Sequence, residues 1–196
     1  MAKTCRAKKS NYLSTRRVIG AIVLLLIGEN SMAQLPQTPN IPSSSEVILT
    51  LLSEFNFSPR EVFYNKDLIS KSKIQSMSET YSILGYASMA TEDRTVKLWS
   101  LHDVDGYVAS ISVVFLDNIN DVSEAVAVTF NGYSIPITDM ALSKHPGADL
   151  VIQFPGSLNY IGLSTGNAFL DVSGKRGFDA RPYAQALLAI LHEQAR

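Results

Sequence analysis

After Cys5 the chain contains no further cysteine in its 196 residues. From residue 34 onward this excludes disulfides, a thiol nucleophile, zinc thiolate sites and iron–sulfur clusters. Histidine is scarce as well. His102, His145 and His192 are the full set, and no two stand four apart as the metal-binding helix of a zinc peptidase requires. Charged residues make up 18% of the chain and hydrophobic ones 46%, a balance that excludes a disordered polymer. There is no internal repeat, no low-complexity segment and no apolar run long enough to span a bilayer in the mature protein. The length suits one globular domain.

What charge there is lies unevenly. Residues 1–33 carry Lys3, Arg6, Lys8, Lys9, Arg16 and Arg17 against Glu29 alone, whereas the remainder has 11 basic and 17 acidic residues. An apolar run of eleven, residues 18–28, follows the basic stretch. As a helix it rises only about 16 Å, roughly half the hydrocarbon thickness of a membrane. Ser31 and Ala33 then supply small residues at −3 and −1 of a cleavage site. These three parts predict a secretory signal peptide over residues 1–33, cut after Ala33 to leave Gln34 at the mature N-terminus. The protein is thus expected in the periplasm or outside the cell. Arg16-Arg17 resembles a twin-arginine signal, but the leucine-rich run matches general secretion better. Cys5 precedes the run, so it is not a lipid-acceptor cysteine. The acidic remainder offers no basic patch to neutralise phosphates, which argues against a nucleic-acid partner.

Pro36, Pro39 and Pro42 mark residues 34–44 as an extended tether, followed by a single domain over residues 45–196. Ser43-Ser44-Ser45-Glu46 reads as a capping box, and Val47, Ile48, Leu51, Leu52 and Phe55 fall on one face of a helix expected over 45–55. Ser58-Pro59-Arg60-Glu61 reads as a second helix start, although the Val62-Phe63-Tyr64 that follows suits extended chain equally. Residues 66–80 read as loop. From Tyr81 the period changes to two, with strands expected at 81–90, 94–101, 107–116, 124–130 and 133–137, joined through Asp105-Gly106 and Asn131-Gly132 turns. After a turn-rich stretch at His145-Pro146-Gly147, further strands are expected at 149–154, 158–163 and 169–172, separated by Pro155-Gly156 and Gly166-Asn167. A closing helix over 180–194 places Tyr183, Leu187, Ile190 and Leu191 on one face. The expected class is α+β: a mostly antiparallel sheet or sandwich of six to eight strands, with helices at the chain ends.

Three motifs invite a chemical reading. Gly162-Leu163-Ser164-Thr165-Gly166 matches the G-x-S-x-G nucleophile elbow, and Asp171 or Asp179 with His192 would complete a serine hydrolase triad in the right order. That elbow needs a helix after the serine, whereas Gly166-Asn167 followed by an apolar stretch reads as turn and strand. His102-Asp103-Val104-Asp105-Gly106 could offer oxygen and imidazole ligands to a divalent cation, but it lacks the twelve-residue calcium-loop pattern and reads as a solvated hairpin tip. Ser173-Gly174-Lys175-Arg176-Gly177-Phe178 could cradle an anion, yet it lacks phosphate-loop spacing. His145 and His192 stand alone as surface or cap residues, and Trp99 reads as core. No catalytic, cofactor-binding or metal-binding residue is assigned.

The segments Ala148-Asp149-Leu150-Val151-Ile152-Gln153-Phe154, Phe169-Leu170-Asp171-Val172-Ser173, Gly177-Phe178-Asp179-Ala180 and Tyr183-Ala184-Gln185-Ala186-Leu187 form a strand, glycine-aromatic and alanine-rich helix pattern. Together with Trp99 and the signal peptide, it resembles the invasion-associated locus B family of exported bacterial β-proteins, over about the last 100 residues. That family usually carries cysteines, which the mature chain lacks. The resemblance implies an envelope-associated β-sandwich with no known catalytic set, so it transfers no site residue. The expected function is an exported, non-enzymatic protein that binds another envelope or secreted protein; the alternative is a small hydrolase using Ser164.

Overall fold

The computed structural model describes residues 43–78, 80–130 and 139–193. The expected signal segment, the tether as far as Pro42, the Asn131-Gly132 turn and the strand at 133–137 lie outside the described residues. Among the described residues seven strands form one sheet: β1 (Ser82–Ala90), β2 (Arg94–Asp103), β3 (Gly106–Leu116), β4 (Ala141–His145), β5 (Ala148–Gln153), β6 (Tyr160–Thr165) and β7 (Ala168–Gly174). Their spatial order is β1-β2-β3-β7-β6-β5-β4, and every pairing is antiparallel. Two meanders of consecutive strands therefore meet where β3 pairs with β7. The α+β class and the strand number agree with expectation.

Period-two alternation sends side chains to both faces, and each face has its own core. In β3, Ile111, Val113 and Phe115 join Trp99, Leu101, Leu170 and Val172 on one face. Val114 and Leu116 join Leu150, Ile152 and Phe169 on the other. Four helices among the described residues supply the covers: α1 (Ser44–Glu54), α2 (Lys71–Ser76), α3 (Val122–Phe130) and α4 (Arg181–His192). Ile48 and Leu52 of α1 and Val122, Val126 and Phe130 of α3 pack on the second face. Leu187, Leu188 and Leu191 of α4, with Ile74 of α2, pack on the first.

Local signals explain the ends of this architecture. The capping box of α1 is formed as its sequence predicts: Ser43 Oγ accepts from the Glu46 amide at 3.3 Å, and Glu46 Oε2 accepts from the Ser43 amide at 2.7 Å. The last two residues of the expected tether, Ser43 and Ser44, thus belong to the cap and the helix. Between β2 and β3, Gly106 takes φ +120° and the Asp105 amide donates to Asp103 Oδ1 at 2.9 Å. The hairpin is where it was expected.

The middle of the chain departs from expectation in four places. Residues 124–130, expected as a strand, are helical within α3. Nearly every residue there is apolar, so alternation and helical spacing both fit; burial of Val122, Ala125, Val126 and Phe130 against the sheet selects the helix. Helices are therefore not confined to the chain ends. The expected helix at Ser58-Pro59 does not form, because its backbone is used elsewhere: Val62 O accepts from the Asn167 amide at 2.9 Å, and the Tyr64 amide donates to Asn167 Oδ1 at 2.7 Å. Residues 66–80, expected as loop, contain a 3-10 turn at Lys66–Leu68 and the short α2. Buried Lys97 of β2 holds this segment by donating its ammonium to the carbonyls of Lys66 and Ile69. Finally, β4 lies in a stretch read only as turn-rich. It is short, polar and at the sheet edge, so it lacks the apolar alternation that marks a strand.

Candidate functional site

The densest polar arrangement gathers where the chain after α1 crosses the ends of β5, β6 and β7. Asp149, whose side chain is only 5% exposed, sits on β5 and accepts three hydrogen bonds. Its donors are the Arg60 amide at 3.1 Å, Arg60 Nε at 2.5 Å and the Gly166 amide at 2.8 Å. Arg60 Nη2 donates onward to Gly147 O at 2.8 Å and Thr165 Oγ1 at 2.9 Å. Thr165 Oγ1 lies 3.2 Å from the Tyr64 hydroxyl, and the Tyr64 ring stacks on His192 with centroids 6.3 Å apart. Asn167 completes the junction by donating Nδ2 to Leu116 O at 2.8 Å. Gly166 must be glycine here. It takes φ +50°, and a Cβ would run into the Val62 carbonyl. Chemically, the arrangement fixes a guanidinium in one orientation at the mouth of a depression beside the β4–β5 turn.

The sequence does not single out Arg60 and Asp149 as a pair. They lie 89 positions apart, and each looks ordinary in its own segment. The residues it did single out are dispersed. Ser164 is fully buried in β6, opposite Phe169 of β7, and Gly166-Asn167 turns the chain into that strand instead of a helix. Its neighbours in the alternation place it on the α1/α3 face. His192 belongs to α4 on the opposite face, against Gly147 and Tyr64. Asp179 is half-buried just before α4, paired with Arg181, whose guanidinium holds its carboxyl below the usual range. The sheet therefore separates the serine from the imidazole, and Ser164 and His192 do not form a nucleophile–base pair.

Ser164 Oγ has no hydrogen-bond partner among the described residues. Removing a buried hydroxyl that makes no bond should be neutral or stabilising, since no hydrogen bond is lost and a desolvation cost of about 1–3 kcal/mol is relieved in part. Ser164→Ala is accordingly expected to keep or raise the melting temperature. Thermal denaturation followed by circular dichroism checks this; a clear fall would show that the hydroxyl is engaged.

The other motifs are occupied internally. Asp103 accepts from the Asp105 amide and pairs with Lys175 at 3.5 Å, while His102 packs edge-on to Tyr107. Among the described residues no cluster of three or more His, Cys, Asp or Glu side chains is arranged to hold a metal ion. In the 173–178 segment the amides of Gly174, Lys175 and Phe178 already donate to the carbonyls of Asn159, Val108 and Lys175, so they are not free to cradle an anion. Trp99 is fully buried in the core, as its flanking leucines suggest.

A second feature is the asymmetry of the sheet's two edges. At one edge β4 has five residues and includes Lys144, so it is short and charged. Edge strands of that kind resist pairing with other chains. At the other edge β1 runs nine residues, Ser-Ile-Leu-Gly-Tyr-Ala-Ser-Met-Ala, without charge or proline. It exposes Leu84, Tyr86 and Met89, at 72%, 50% and 45%. A bulge between Ile83 and Gly85 interrupts its register with β2, but Tyr86–Ala90 pair regularly. No protein-family model, no curated protein and no solved structure matches the chain.

Proposed function

We propose that this is an exported, non-enzymatic binding protein that engages another envelope or secreted protein by accepting an extended segment of it along β1. The observation that carries the reading is the long, uncharged and apolar β1 edge, in contrast to the short, lysine-bearing β4 edge. Beyond Ile83, whose amide donates to Gln75 Oε1 of α2 at 3.3 Å, such an edge offers main-chain groups for affinity and alternating side chains for specificity. The basic, apolar and small-residue parts of residues 1–33 support export, as does the likeness of the C-terminal half to the invasion-associated locus B family. Separation of Ser164 from His192 by the sheet favours binding over hydrolysis. Among the described residues no helix is long and apolar enough to cross a membrane.

The test is site-specific photo-crosslinking in the exporting cell, with the probe at Ser88 of β1 or, as a control, at Lys144 of β4. One discrete adduct with an envelope or secreted protein is expected from Ser88 and not from Lys144. It should disappear in a Leu84→Lys/Met89→Lys variant whose melting temperature is unchanged, because like charges on an edge block strand addition. Adducts of equal yield from both positions, or adducts that survive the double substitution, would overturn the reading. Mass spectrometry of the same exported material is expected to show Gln34 at the N-terminus; an intact residue 1–33 segment would remove the export part.

A further inference from the structure

The depression beside the β4–β5 turn has a volume of about 500 Å³ and is lined by Arg60, Lys144, His145, Gly147 and Asp149, among others. That volume is in the range of small-ligand sites. Its charge pattern is one-sided. Asp149 is the acidic lining residue, and both of its oxygens are directed to the Arg60 and Gly166 donors. The carboxylate therefore acts as the buried anchor of a guanidinium and presents little negative charge to the opening. Arg60 itself is 48% exposed at its side chain. With Nε and Nη2 committed, its Nη1 makes no hydrogen bond to the described residues.

Two further groups flank it. Lys144 Nζ sits 5.8 Å over the Phe55 ring and has no carboxylate partner among the described residues. His145 uses Nδ1 on Pro146 O at 2.8 Å, which leaves Nε2 as its uncommitted nitrogen. Gly147 keeps the turn close-packed: its φ is +92°, and a Cβ would stand 2.6 Å from His192 Cε1. The opening is thus held in place from below by Tyr64, Thr165 and His192.

We infer that this depression binds a small molecule carrying a carboxylate or phosphate group, gripped by the oriented Arg60 guanidinium and the Lys144 ammonium. A guanidinium locked by a buried carboxylate has lost its rotational freedom before binding, so it recognises a planar or tetrahedral oxyanion at reduced entropic cost. Lys144 adds a charge that nothing described neutralises. The site is independent of the β1 edge, which lies at the far side of the sheet.

Inorganic phosphate and succinate, each titrated into the mature protein at constant ionic strength with sodium chloride as control, test this by amide chemical shifts. Saturable shifts at Gly147 and Ala148 are expected with at least one of the two probes, and the tighter one identifies the oxyanion class. Lys144→Gln should weaken binding about tenfold or more with no change in melting temperature, as loss of a charge-assisted contact does. Arg60→Lys, which keeps the charge and loses the fork, should weaken it as well. Shifts that fail to saturate or match those of chloride would overturn the inference, as would unchanged affinity in Lys144→Gln.

Discussion

Asp149→Ala is expected to lower the melting temperature by about 6–12 °C. Removing one partner of a buried ion pair costs about 3–5 kcal/mol, and about 2–4 °C per kcal/mol applies to a domain of this size. The lower end of that cost applies here, because Arg60 is half exposed and water can take over part of its hydrogen bonding. The Gly166 amide cannot be rescued in the same way, since it is buried at the β6–β7 turn. Arg60→Ala produces the opposite imbalance, a buried carboxylate that keeps only the two backbone donors. The double variant should then cost less than the two single losses added, because the groups act as one unit. Thermal and urea denaturation of the three variants measures that coupling. Strict additivity would show that the pair contributes nothing as a pair.

Leu187→Ala should be equally damaging for a different reason. Leu187 is fully buried in α4 and belongs to the core shared with Trp99, Leu163 and Leu170. Truncation removes transfer free energy and leaves a cavity that a close-packed sheet cannot collapse, at about 2–5 kcal/mol. Against a typical stability of about 5–15 kcal/mol this is a large fraction. The contrast with Ser164→Ala is the informative part. Both positions are fully buried, but one side chain fills a core and the other makes no bond. If partner binding depends on the fold and not on a nucleophile, it should decline with Leu187→Ala near its melting temperature and persist in Ser164→Ala. Loss of function in Ser164→Ala with unchanged stability would point back to hydrolysis.

The short-range chemistry of this chain determined its β2–β3 hairpin and its first and last helices. Ser43 and Glu46 are three residues apart, and Asp105 and Gly106 adjoin, so every group these features need is in the local segment. The apolar face of α4 is legible for the same reason, from Tyr183 to Leu191. Other decisions required the assembled sheet. Residues 124–130 satisfy both periods, and only the apolar surface beneath them made the segment a helix. Ser164 matched a nucleophile motif, yet pairing with β7 buried it on the face away from His192. Arg60 and Asp149 have no local signature, because their hydrogen bonds join segments that meet only after the sheet closes. Whether β1 lies at the centre or the edge depends on which strands find it, and its uncharged sequence reads the same in either place. Local hydrogen bonding and periodicity act within a few residues of chain; burial, strand neighbours and ion pairing across the fold are properties of space.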